Sequence, residues 1–120
     1  MRVQRPSIGG VAVAVIALFL SAASGRAADG PCYLEVDGQV YLDKVCNIES
    51  SPSTGFSIGT GDSSREQFFA YVQATETAES ADGYWNGPSA ESRAHASLGT
   101  LMRQGNCWVN ARAKVCAGPR

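Results

Sequence analysis

The chain has 120 residues, 10 Lys and Arg against 11 Asp and Glu, a net charge of −1 at pH 7, four cysteines and one histidine. That length suits one small domain, and a slight excess of acid argues against a nucleic-acid partner. With a lone His and no Cys-x-x-Cys spacing, the usual zinc ligand sets are missing, and neither a metal nor a cofactor is expected.

The N-terminus reads as a secretory leader. Arg2 and Arg5 form a positive n-region, residues 11–20 (VAVAVIALFL) an apolar core, and Gly25 and Ala27 the small residues of a cleavage site. The apolar run is about half the roughly twenty residues needed to span a bilayer as a helix, so an uncleaved anchor is the weaker reading. Cys32 follows Asp-Gly-Pro, unlike a lipidated cysteine. The expected division is a signal peptide over 1–27 and one disulfide-bonded domain over 28–120, periplasmic or secreted, with no transmembrane segment after cleavage. Loss of Arg2, Arg5 and Arg26 leaves seven bases against eleven acids, a net charge of −4. Every acid lies between Asp29 and Glu91, whereas Arg93, Arg103, Arg112, Lys114 and Arg120 follow with no acid among them. Such a tail is either a strip for an anionic partner or, the favoured reading, the half that neutralises the acidic part of its own domain.

Residues 32–46 (CYLEVDGQVYLDKVC) carry β-formers on both sides of Asp37-Gly38, a hairpin signal. A three-residue loop, 36–38, puts Cys32, Leu34, Val40, Leu42 and Cys46 on one face, and one coherent apolar face is what fixes register. Residues 47–64 read mostly as loop, with one strand candidate at 55–59 whose Phe56 and Ile58 alternate inward. A central strand is expected at 67–73 (QFFAYVQ), a solvent-facing segment at 74–81, a turn at Asp82-Gly83 and a short strand at Tyr84-Trp85. Residues 98–104 form a strand, Gly105-Asn106 a type II′ turn, and 107–110 and 114–116 complete a three-stranded meander. In that register Arg103 faces Trp108, Trp108 faces Val115, and Cys107 faces Cys116. Both cysteine hairpins open on Cys, an aromatic and an aliphatic residue and close on Lys-Val-Cys, one packing solution used twice.

The fold class is therefore all-β: a small antiparallel meander, sandwich or half-open barrel of about six short strands, stapled by two disulfides. The expected bridges are Cys107–Cys116 and Cys32–Cys46, with Cys32–Cys116 and Cys46–Cys107 as the nested alternative. A domain of this size has a thin core, so bridges of about 2–4 kcal/mol each are a large share of its stability.

No motif points to catalysis. His95 lies between a Gly/Pro loop and a strand without a Gly-x-Ser-x-Gly elbow, and its carboxylate neighbours are those of any acidic chain. Tyr84, Trp85 and Asn86, set between two turns, are the first candidate contact patch, because exposed rings beside an amide suit sugars or protein interfaces. Arg103 and Trp108, a cation beside a ring, are the second. The leading reading is an exported, non-enzymatic binding protein whose partner is a protein or an envelope glycan, possible roles being inhibition of a cell-wall hydrolase or glycan binding. The alternatives are a small hydrolase using His95 with nearby carboxylates and a purely structural envelope component.

Overall fold

The computed structural model describes residues 25–120. Eight antiparallel strands follow one another in chain order, each paired with the next, and the last returns to the first to close a barrel. They are β1 (Arg26–Val36), β2 (Gln39–Ser51), β3 (Gly55–Ile58), β4 (Ala70–Ala74), β5 (Ser80–Trp85), β6 (Ala96–Gln104), β7 (Cys107–Val109) and β8 (Ala113–Ala117). The fold is all-β, antiparallel and disulfide-bonded as expected, but it has eight strands rather than six and closes fully. Closure rests on residues 32–36 of β1, which pair with β2 on one side and β8 on the other and so have no free edge. Among the described residues no helix is long and apolar enough to cross a membrane. The apolar core of the expected leader lies outside the described residues. Arg26 and Ala27, on the leader side of the expected cleavage point, form the first rungs of β1 opposite Ser50 and Glu49.

An eight-stranded barrel is just wide enough for its inward side chains to fill. Leu34, Val36, Ile58, Val72, Leu98, Leu101 and Val115 point inward, each at most 2% exposed; alternation does this except in β6, where a bulge at Leu98 lets both leucines face the core. The Cys32–Cys46 bridge belongs to this core, on a diagonal of the β1–β2 ladder, where Gly30 opposes Cys46 and Cys32 opposes Lys44. Cys107 and Cys116 oppose each other directly and are buried apart from the core, because Val115 beside them faces inward. Both bridges pair as expected.

Three local expectations are corrected. In the first hairpin the turn is the two-residue Asp37-Gly38, with φ of 52° and 83° as a type I′ turn requires. The change of parity comes instead from a bulge in β2: Leu34 opposes Leu42, Glu35 opposes Val40, and Tyr41 is the extra residue. Val36 therefore enters the core, and Val40 is 48% exposed. Asp82-Gly83 is no turn but the middle of β5; a Cβ on Gly83 would lie 2.6 Å from Leu101 Cδ1, so glycine is needed for close packing inside the barrel. The strand expected at 67–73 begins only at Ala70, because Phe68 leaves the sheet to pack on the core at the end of the barrel.

Candidate functional site

Up-and-down topology sends alternate connections to opposite ends of the barrel. The connections after β1, β3, β5 and β7 meet at one end, and that end is closed. Tyr41, Phe68 and Trp85 plug it, with ring centroids 4.9 Å (Tyr41–Phe68), 4.6 Å (Tyr41–Trp85) and 6.3 Å (Phe68–Trp85) apart. Asn86, buried like Trp85, stitches the connections over the plug. Its Oδ1 accepts the Phe69 N–H at 3.0 Å, and its Nδ2 donates to the carbonyls of Gln67 (2.8 Å) and Glu91 (3.1 Å). Trp85 and Asn86 are thus interior residues rather than a surface patch, since the short Tyr84-Trp85 segment continues a longer strand whose inward position falls on Trp85. Tyr84 points outward, half-buried, opposite Tyr71 on β4. Those two rings border a groove of about 380 Å³ on the outer wall, shared with Gln73 and His95. His95 is exposed and also borders a second groove with Glu91 and Ser92.

The other end, where the connections after β2, β4 and β6 gather, carries an open cleft of about 400 Å³. Phe56, Val72, Ala81 and Trp108 give it apolar walls, and Arg103 and Glu76 supply charge. Arg103 opposes Trp108 across the β6–β7 ladder, as expected, with Cζ 5.9 Å from the ring centroid. The Gly105-Asn106 turn that sets this register has Gly105 at φ 66°, the left-handed first position of a type II′ turn. The facing rim is the 75–79 connection, exposed but braced from within; the solvent-facing segment expected at 74–81 ends short, because Ser80 and Ala81 belong to β5 and Ala81 is in the core. Thr75 Oγ1 accepts the Thr77 N–H at 3.1 Å and donates to the Ser80 carbonyl at 3.0 Å, while the Arg103 N–H donates to the Glu79 carbonyl at 2.9 Å. Phe56 is read from sequence only as an inward strand residue, and nothing in the sequence marks Glu76. Only the order of strands places β3 and the β4–β5 connection beside the β6–β7 turn.

Two bases of the tail, Arg112 and Arg120, lie against acids of the first hairpin. Arg112 grips Asp37 with two bonds of 3.1 and 3.2 Å and also donates to the Ser97 carbonyl, and Arg120 pairs with Asp43 at 3.1 Å. The Arg112 hydrogen bonds hold the Asp37 carboxyl below its ordinary range. Arg103 is different: it makes no ion pair among the described residues, and its side chain has one bond, from Nε to the Gly105 carbonyl at 3.4 Å. Among the described residues no group of three or more His, Cys, Asp or Glu side chains is placed to hold a metal. Of the candidate residues, then, Arg103 and Trp108 share a cleft, Tyr84 lies on the outer wall, and Trp85 and Asn86 close the opposite end. Compared with protein families, with curated proteins and with solved structures, the chain matches none of them, so the reading of the site rests on its own residues.

Proposed function

We propose that this is an exported, non-catalytic binding protein that receives its partner at the open end of the barrel. The partner is an envelope glycan or a cell-wall hydrolase that the domain inhibits. The observation that carries this reading is the half-buried Trp108 beside an arginine with no carboxylate partner among the described residues, in a cleft walled by apolar side chains. Trp and Arg side chains are enriched among the residues that dominate binding energy once a partner buries them fully. Two disulfides suit the oxidising compartment that export implies.

The test uses purified peptidoglycan sacculi and a muramidase that degrades them. The domain is expected to sediment with the sacculi or to slow their lysis. Trp108→Ala should weaken that effect about tenfold or more, equivalent to roughly 1.4 kcal/mol, without loss of the folded near-UV signature. A domain that does neither is not a binder of this kind. Release of soluble fragments by the domain alone, abolished in His95→Ala, would establish the hydrolase alternative instead.

A further inference from the structure

We infer that the ligand of the open-end cleft is an acidic saccharide, a sugar ring bearing a carboxylate; this rests on the reading of the cleft as the binding site. Three observations lead there. Trp108 is half-buried, so its indole is fixed by packing while part of it remains available to the cleft. A flat apolar ring held in this way is the surface on which the C–H face of a sugar stacks. The cleft, at about 400 Å³, has the size of a small-ligand site rather than of a flat protein interface.

The second observation is the state of Arg103. Arg112 and Arg120 spend their guanidinium groups on Asp37 and Asp43. Arg103 is held by the Gly105 carbonyl at Nε and stands beside the Trp108 ring, which leaves both Nη groups without a protein acceptor among the described residues. A guanidinium fork held at one end and open at the other suits two-bond recognition of a carboxylate. A ring stacked on Trp108 brings its substituents next to that fork.

Glu76 is the third. It lines the same cleft and forms no ion pair with Arg103. Its carboxylate accepts sugar hydroxyls, which a ligand needs in addition to its acid, but it also repels an anion. The cleft therefore favours a ligand carrying both hydroxyl donors and one carboxylate over a simple anion such as acetate.

The experiment follows the Trp108 indole N–H by NMR in the intact exported domain, titrated with glucuronic acid and N-acetylmuramic acid beside their neutral counterparts, glucose and N-acetylglucosamine. The acidic sugars are expected to shift that resonance and bind about tenfold tighter at low salt, an advantage that added salt erodes. Arg103→Gln should erase the advantage and leave the weak binding of neutral sugars. Arg103→Lys, which keeps the charge but not the fork, should retain only part of it. Glu76→Gln should strengthen the acidic sugars alone. Equal affinity for acidic and neutral sugars, or an advantage that survives in a folded Arg103→Gln protein, overturns the inference while Trp108-dependent binding still supports the site. If no sugar binds, the inference falls outright. Hydrolase inhibition lost in Trp108→Ala would then assign the cleft to a protein partner, and failure of the sacculus and hydrolase assays as well would remove the site itself.

Discussion

Asn86 ties two connections together inside the closed end: two of its bonds reach Phe69 and Gln67 in the β3–β4 connection, and the third closes back on Glu91 in its own. Truncation to Ala leaves the buried Phe69 N–H without its acceptor, at about 1–3 kcal/mol if unsatisfied, and removes the donor to the carbonyls of Gln67 and Glu91. Asn86→Ala is therefore expected to lower stability by roughly 2–4 kcal/mol, read as a shift in the urea midpoint with little change in slope. Trp85, which the sequence pattern offers for contact, belongs to the same plug. Trp85→Ala should cost about 3–5 kcal/mol, as large core truncations do, and leave the affinity of the folded fraction unchanged. A stable Trp85→Ala protein with weakened partner binding would move the functional surface to the closed end. Ala90 presents the opposite case: it holds φ at 54°, a left-handed conformation that L-residues resist. Ala90→Gly should relieve that strain and raise stability by up to about 1 kcal/mol, the larger entropy of glycine in the unfolded chain offsetting the rest.

At the scale of elements, the Asp37-Gly38 turn is tied by Arg112 to the β7–β8 connection, and Arg112 also reaches the Ser97 carbonyl in β6. Asp37 titrates below its ordinary value of 3.8 because Arg112 hydrogen-bonds its charged form. A carboxylate whose pKa is depressed by folding adds stability that is fully present above its unfolded pKa and is lost as pH falls through the folded one. The tie should accordingly hold at neutral pH and loosen only on acidification below the ordinary carboxylate range. Asp37→Asn is a clean probe, since Asn-Gly also favours a type I′ turn while the charge is gone. Its stability should fall less than wild type between about pH 5 and pH 2, and an identical acid profile would show that the exposed pair contributes nothing. The same hairpin shows where sequence reasoning stops. Val40 and Leu42 are both apolar, so alternation alone permits either a long loop or a bulge. Contacts of Tyr41 with Phe68 and Trp85, far along the chain, accompany the bulge. By contrast, β6 to β8 were legible down to each pair, because a Gly-Asn turn and a short loop fix parity locally. Gly83 misled for a related reason. Its glycine answers Leu101 across the ladder, a long-range demand that resembles a local turn signal.

At the scale of the whole molecule, closure makes a small chain stable enough to keep one end open. It also governs how much of the site was readable. Arg103 and Trp108 face each other through a local turn, whereas the wall made by Phe56 and the 75–79 connection exists only once eight strands close in order. The two bridges sit differently in this closed frame. Cys32–Cys46 spans 14 residues within the core beside the seam where β8 meets β1, while Cys107–Cys116 spans 9 residues in the last hairpin, apart from the core. Loop-closure entropy alone assigns each about 3 kcal/mol, with little to choose between them. Burial breaks the tie. Replacing Cys32 and Cys46 by Ala also leaves a void among Leu34, Leu42 and their neighbours, whereas the other pair can be replaced without opening the core. Full reduction is expected to lower the melting temperature by well over ten degrees, since about 1 kcal/mol moves the midpoint of so small a domain by roughly 4–8 °C. The Cys32→Ala/Cys46→Ala double variant should lose more than Cys107→Ala/Cys116→Ala. The second variant should also loosen the β7–β8 hairpin that carries Trp108, which broadens the Trp108 indole resonance before the core melts. Equal losses in the two double variants, with an unbroadened indole signal, would mean that both bridges act only on the unfolded chain.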